Sequence, residues 1–121
     1  MKSSKGIYFG TRLRSIGFAI EGLKQMILTE PNARIHLAIT TLVVIAGIIT
    51  ELSMARWLAI VFAISIVWIT EAVNTALEKL CDHTCGNEFN AAIKKVKDIA
   101  AGAVLIAALC SVITGIIVFT S

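Results

Sequence analysis

Long apolar stretches alternate with short charged segments along this 121-residue chain. Three of the stretches contain no Lys, Arg, Asp or Glu: residues 35–50, 57–70 and 99–121. An uncharged run of about 18 residues or more indicates a membrane span, so the last run is long enough alone and the first two are near the limit. Taken together, the three runs predict three membrane-spanning helices.

The segment before the first run has an amphipathic pattern. Its apolar residues recur at alternating steps of four and three, which places them on one face of a helix: Phe9, Leu13, Ile16, Ile20, Leu23 and Ile27. Arg12, Glu21 and Lys24 fall on other faces. We therefore expect a helix over about residues 7–29 that lies in the membrane interface or packs against the spans of its own protein.

Proline and polar residues divide the rest of the chain into helices. Pro31 cannot continue a helix from upstream but suits the first turn of a new one, so the chain bends at about residues 29–32. Further helices are predicted at about 32–50, 55–81 and 91–119, and Gly86 and Asn87 mark a loop. The predicted fold is an all-α integral membrane protein, a single membrane domain over residues 1–121 with one surface helix and three transmembrane helices.

The basic residues lie almost entirely on one side of the predicted spans. Of the 11 lysines and arginines, which include Lys2 at the N-terminus, only Arg56 falls between the first and second spans. The positive-inside rule then predicts a cytosolic N-terminus, a cytosolic segment from Lys79 to Asp98 and a C-terminus outside. Because these residues flank apolar spans and no nucleic-acid motif occurs, we expect no nucleic-acid partner.

The cysteines are expected to be free thiols. Disulfides are uncommon in the reducing cytosol, where the predicted topology places Cys81 and Cys85, and Cys110 lies at membrane depth. Cys81, His83 and Cys85 offer three ligands, whereas a structural zinc site requires four, so we expect no zinc.

Three acids and one amide share a face of the second spanning helix at its cytosolic end. Glu71, Asn74, Glu78 and Asp82 follow one another at steps of three, four and four. A carboxylate in the bilayer costs up to about 2.5–3.5 kcal/mol on insertion scales, and like charges one turn apart add to that cost. A bound cation or a basic partner would offset it. The alternative is a solvated helix end, which suits Asp82 better than Glu71.

The predicted topology brings further charged residues to the same interface. Glu30 ends the surface helix, and Lys97 and Asp98 lie at the mouth of the third span. Carboxylates and an amide are ligands suited to Mg²⁺ shared with a nucleotide, and lysine neutralises phosphate charge. This set suits phosphoryl transfer to a hydroxyl whose proton a carboxylate accepts. No Walker loop or soluble-kinase signature occurs, so a kinase here would use an unrelated site.

Two runs resemble the signature of the prokaryotic diacylglycerol kinase family, which includes the undecaprenol kinases. They are Glu-Ala-Val-Asn-Thr-Ala-Leu-Glu-Lys-Leu-Cys-Asp at 71–82 and Lys-Asp-Ile-Ala-Ala-Gly-Ala-Val at 97–104. Glu30 and the run at 32–36 match the segment before the family's first span, and the resemblance covers nearly the whole chain. It implies a homotrimer in a bacterial-type inner membrane, with active sites between neighbouring subunits where ATP and Mg²⁺ phosphorylate a lipid hydroxyl.

Carried over residue by residue, the resemblance implies a role for each matching position. Glu71 is the general base, and Glu30 and Glu78 bind the metal and, with it, ATP. Asn74 and Asp82 order the site or contact the substrate. The remaining ATP contacts implied by the resemblance are Glu88, Phe89, Asn90, Lys97 and Asp98.

Two departures from the enterobacterial form of the family bear on the lipid acceptor. Thr11 stands where that form has a lipid-contacting arginine, and the run at 34–37 resembles the branch that contains Gram-positive undecaprenol kinases. Diacylglycerol, which gives phosphatidic acid, is the leading acceptor, and undecaprenol, which gives undecaprenyl phosphate, is the alternative. A small cation-coupled transporter, which predicts a glutamate near mid-bilayer, and a non-catalytic membrane adaptor are less favoured.

Overall fold

A computed structural model describes residues 4–86 and 88–121, with side chains from residue 9 onward. Lys2 and Asn87, named above, lie outside the described residues. The described secondary structure is entirely helical: α1 (Ser4–Thr29), α2 (Pro31–Ile49), α3 (Met54–Cys85) and α4 (Ala91–Thr120). Of these, α2, α3 and α4 are long and apolar enough to cross a membrane. The predicted all-helical membrane fold with three long apolar helices is thus confirmed.

The break between α1 and α2 follows from one proline. Glu30 has extended backbone angles (φ −107°, ψ 116°), and Pro31 takes the first helical position of α2, where its missing N–H breaks no helical hydrogen bond. The Glu30 amide donates to the Met26 carbonyl at 2.9 Å and so completes α1. Because proline disfavours the helical region for the residue before it, Glu30 is held at the junction of the two helices.

A tight turn connects α2 to α3. Glu51 occupies the left-handed region (φ 53°), and the Ser53 side chain caps α3 by accepting a hydrogen bond from the Arg56 amide. Trp57 lies directly over Gly47, where an added Cβ would come within 2.7 Å of the indole. The absence of a side chain at Gly47 therefore allows the turn to pack closely.

The most extensive interhelical packing is between α3 and α4. Ser111 Oγ donates to the Ala63 carbonyl at 2.9 Å. Near the α2–α3 turn, the Arg56 guanidinium donates to the Val118 carbonyl at 3.4 Å and to Ser121 Oγ at 3.2 Å. These bonds fix α3 against α4, the two helices that carry most of the predicted site residues.

Helix α3 ends at Cys85, whereas the sequence predicted an end at residue 81. No proline or glycine occurs within α3, and the next residue, Gly86, takes a positive φ of 59° and donates its amide to the Asp82 carbonyl. After the loop, Asn90 caps α4 by accepting hydrogen bonds from the Ala92 and Ile93 amides at 2.9 and 3.2 Å. Both boundaries are therefore encoded locally.

Large apolar side chains are exposed along all four helices. Phe62 and Ile49 are each 74% exposed, and the α1 stripe is exposed from Phe9 to Leu23 and half-buried at Ile27. The buried residue of α1 is its neighbour Met26, which is not part of the stripe. An apolar surface of this extent indicates contact with lipid or with other chains. Helix α1 is present, while its location in the membrane interface remains a prediction.

Candidate active site

Most of the predicted site residues lie at one end of the helices, which we call the acidic end. It consists of the α1–α2 junction, the C-terminal part of α3 from Glu71 onward and the N-terminal part of α4 up to Asp98. Side-chain contacts connect each of these segments to a neighbouring segment.

Glu71 is the most deeply buried charged residue among those that the structure describes. Its residue exposure is 3%, and its Oε2 lies 3.5 Å from His36 Nε2 on α2. The imidazole also meets Trp68 edge-on, with ring centroids 6.5 Å apart, and the Trp68 indole donates to Thr40 Oγ1 at 2.9 Å. Burying a carboxylate costs free energy unless a polar group pairs with it, and His36 on α2 supplies that group.

Asn74 and Glu78 form a pair one turn further along α3. The Asn74 amide nitrogen donates to Glu78 Oε1 at 3.3 Å. Asn74 is 8% exposed, and its Oδ1 is buried without a hydrogen-bond partner among the described residues. A buried acceptor without a partner costs about 1–3 kcal/mol, so a hydrogen-bond donor or a cation that reached Asn74 Oδ1 would remove this cost.

Glu30 lies against α3 as well. Its Oε1 is 3.5 Å from Lys79 Nζ, and its side chain is 27% exposed. The junction after α1, held in place by Pro31, therefore brings a third acid to the acidic end. Its partner, Lys79, was not among the predicted site residues.

Two exposed ion pairs involve α4. Lys97 Nζ lies 2.5 Å from Asp82 Oδ1 on α3, and Lys94 Nζ lies 2.7 Å from Asp98 Oδ2. Lys97 precedes the charge-free run that begins at Ile99, and its hydrogen bond to Asp82 raises the pKa of the ammonium above its ordinary value. Exposed ion pairs contribute little to stability, so exchanging the Asp82 carboxylate for a nucleotide phosphate as the partner of Lys97 would cost little free energy.

The predicted loop contacts lie apart from the buried acids. Glu88 is exposed, and Phe89 is 82% exposed. The Asn90 side-chain oxygen is used as the N-cap of α4. Among the described residues, none of these three forms a hydrogen bond or an ion pair with Glu71 or Glu78, so the loop borders the acidic end without closing it.

The donor atoms at the acidic end fit a magnesium ion that arrives with a nucleotide. In the described part of the chain, no group of three or more His, Cys, Asp or Glu side chains is placed to hold a metal. The carboxylates of Glu30 and Glu78 and the unpartnered Asn74 oxygen are hard oxygen donors. Mg²⁺ commonly takes one or two protein carboxylates and completes its shell with water and phosphate, which matches this set.

His36, like Lys79, is a member of this site that the sequence did not predict. It lies in the apolar run at 35–50, and its segment matched the family without indicating a role for its side chain. The available signal was a polar, ionisable residue inside a predicted span, because such residues usually face other polar groups.

An apolar cleft of about 290 Å³ opens beside His36 between α2, α3 and α4. Most of its lining is aliphatic, including Val43, Ile60 and Val112. The hydroxyls of Thr40 and Ser111 also line it, but both are engaged in hydrogen bonds to or from α3. The cleft therefore offers an apolar chain a path that leads to His36, the residue whose imidazole lies beside Glu71.

Comparison with known proteins gives consistent results. A family model described as prokaryotic diacylglycerol kinase matches residues 17–119. The chain is 36% identical to a diacylglycerol kinase of Synechocystis sp. over 103 residues, which cover 85% of this chain and 59% of that protein. It is 34% identical to the undecaprenol kinase of Bacillus subtilis over 106 residues, which cover 88% of this chain and 85% of that protein.

These matches differ in how much of each relative they include. The chain spans less than two thirds of the length of the Synechocystis relative but most of the Bacillus one. The family match covers α2, α3 and α4 almost completely, together with the second half of α1. As the two signature runs predicted, the chain belongs to the prokaryotic diacylglycerol kinase family.

Proposed function

We propose that this chain is a membrane lipid kinase that transfers the γ-phosphate of ATP to the hydroxyl of a lipid. Membership of the family and the names of both relatives support this class of enzyme. Within the chain, the observation that carries the proposal is the Glu71 carboxylate, buried at the acidic end of three apolar helices.

Diacylglycerol is the first acceptor we propose, with phosphatidic acid as the product. Undecaprenol, with undecaprenyl phosphate as the product, is favoured by one specific observation: the match to the Bacillus undecaprenol kinase covers 85% of that protein. Both lipids carry a single hydroxyl on long apolar chains. The apolar cleft beside His36 suits either of them.

In the proposed reaction Glu71 is the general base. The lipid hydroxyl gives its proton to the Glu71 carboxylate while its oxygen forms a bond to the γ-phosphorus of ATP. The bond from that phosphorus to the bridging oxygen breaks, and its electron pair leaves on ADP. The products are a lipid phosphate monoester and ADP, and Glu71 then releases its proton to solvent.

The other acidic-end residues bind and orient the nucleotide in this proposal. Glu30 and Glu78 would hold Mg²⁺, which when bound neutralises charge on the phosphate oxygens. Asn74 orders Glu78 through its amide, and the unpartnered Asn74 oxygen supports a ligand at this position. Lys97, released from Asp82, would contact the phosphates, while the residues assigned to the rest of the nucleotide are Glu88, Phe89, Asn90 and Asp98.

We place the acidic end and the N-terminus in the cytosol, where ATP is available, and the C-terminus outside. The concentration of lysine and arginine at this end supports that orientation in a bacterial-type inner membrane. We also propose a homotrimer with active sites shared between subunits. The large apolar side chains exposed along the helices of one chain support packing against further copies.

The test is transfer of labelled γ-phosphate from ATP by the purified wild-type protein in mixed micelles with Mg²⁺. Diacylglycerol and undecaprenol are offered separately, and each lipid is extracted and counted. Label in one of them establishes the kinase and identifies the acceptor. Label in neither, with protein that is folded, would overturn the proposal.

A further inference from the structure

The contact between His36 and Glu71 joins two helices at the proposed base. His36 Nε2 is 3.5 Å from Glu71 Oε2, and the two side chains are 19% and 4% exposed. This separation is longer than an ordinary N–H···O hydrogen bond, but catalytic hydrogen bonds are often long without substrate and tighten when it binds. Within the described part of the chain, no other hydrogen bond or ion pair involves the Glu71 carboxylate.

The surroundings of His36 fix the direction of its ring. Trp68, one turn before Glu71 on α3, meets the imidazole edge-on at an interplanar angle of 61°. The Trp68 indole is held in turn by its hydrogen bond to Thr40, one turn after His36 on α2. Trp68 and Glu71 both meet the ring from α3, so the packing against Trp68 holds the imidazole beside the carboxylate, with Nε2 as the nearer nitrogen.

We infer that His36 is a positioning residue for the general base, an inference that rests on the proposed function. In the tautomer with a proton on Nε2, the imidazole donates to Glu71 Oε2 and leaves the other carboxylate oxygen for the proton of the lipid hydroxyl. His36 also lines the apolar cleft. A lipid chain in that cleft would bring its hydroxyl to the oxygen that His36 leaves available.

Geometry explains why such a residue is needed. Glu71 is on α3, while the cleft that would seat the acceptor is bounded on one side by α2. A carboxylate without a partner could turn away from the acceptor, and a misplacement of about 1 Å can lower a rate roughly 10²-fold. His36 couples the orientation of the base to the helix that bounds the cleft.

Two variants separate hydrogen bonding from packing at this position. His36→Phe keeps a ring against Trp68 but has no N–H, whereas His36→Gln loses the ring but retains an N–H donor at a similar reach. We expect kcat of His36→Phe to fall roughly 10- to 100-fold, with the KM for ATP and the thermal midpoint near wild type. His36→Gln should retain kcat within several-fold of wild type.

The reverse order, an active His36→Phe and an impaired His36→Gln, would assign His36 to packing and overturn the inference. Failure of both variants to fold would do the same. Equal, wild-type activity of both would show that the donor is dispensable and would also overturn it.

A double-mutant cycle tests whether His36 acts through Glu71. If it does, adding His36→Phe to Glu71→Gln should leave the residual rate unchanged, because the carboxylate it positions is already gone. If the two losses multiply instead, His36 acts independently of the base and the inference is wrong. If the role of His36 is refuted but the wild-type protein transfers phosphate, the proposed kinase function still stands. If the wild-type protein is inactive, the kinase function and the role of His36 are both overturned.

Discussion

Replacing Asn74 by leucine should separate the function of the acidic end from its stability. The change removes the hydrogen bond from Asn74 to the Glu78 carboxylate, a bond to a charged group that contributes about 1.5–3 kcal/mol. It also removes the buried Oδ1 that has no partner in the described part of the chain, whose burial costs about 1–3 kcal/mol. Because the two effects have opposite signs, the free energy of unfolding should change by no more than about 1–2 kcal/mol.

Activity should respond differently. Without the Asn74 amide, Glu78 loses the contact that orients it, and kcat should fall on the order of 10²-fold. Unfolding in mixed micelles measures the free energy of unfolding, and transfer of phosphate to the lipid measures kcat. Thr75→Val is the matched control, since Thr75 is a buried neighbour of Asn74 and is not among the predicted site residues, and it should stay within several-fold of wild type.

Two results would refute this reasoning. If Asn74→Leu lowered the free energy of unfolding by more than about 3 kcal/mol, Asn74 Oδ1 would have to accept a hydrogen bond in the assembled protein. This oxygen would then not be a position for a ligand. Turnover near wild type would remove Asn74 from the active site.

Four further substitutions test the metal ligands, the packing at the α2–α3 turn and the nucleotide contact. Glu30→Gln and Glu78→Gln should each raise the Mg²⁺ concentration needed for half-maximal transfer, and a metal dependence equal to that of wild type would exclude them as ligands. Gly47→Ala should lower the free energy of unfolding by about 1–3 kcal/mol, because the new Cβ would come within 2.7 Å of the Trp57 indole. Gly102→Ala is the control and should not destabilise the protein, because the space around Gly102 is open. Equal thermal midpoints of the two variants would contradict the packing at the α2–α3 turn. Lys97→Met should raise the KM for ATP several-fold with little effect on the thermal midpoint, since its ion pair is exposed, and an unchanged KM would end its assignment to the nucleotide.

Much of the fold can be predicted from short stretches of the sequence. The charge-free runs mark the three apolar helices, and Pro31 marks the break between α1 and α2, because bilayer insertion and proline geometry depend on residues close together in the chain. The end of α3 was less predictable. Cys81 to Cys85 contains no strong helix breaker, so the helix continues to Gly86.

The side-chain partners at the acidic end could be predicted only in part. The spacing from Glu71 to Asp82 places the acids on one face, but it does not say which face of α2 or α4 they meet. In a membrane protein, apolar residues face both lipid and neighbouring helices, so periodicity does not fix helix rotation. The pairs His36–Glu71, Glu30–Lys79 and Asp82–Lys97 therefore emerge only from the three-dimensional packing.

The central claim is that Glu71 is the base of a lipid kinase, and the most direct measurement compares wild type with Glu71→Gln. Both proteins, checked for equal folding and equal ATP binding, are assayed for transfer of labelled γ-phosphate to diacylglycerol and to undecaprenol. We expect label in one of these lipids with wild type and a turnover lower by the order of 10²- to 10⁴-fold with Glu71→Gln. Turnover of Glu71→Gln near that of wild type would contradict it.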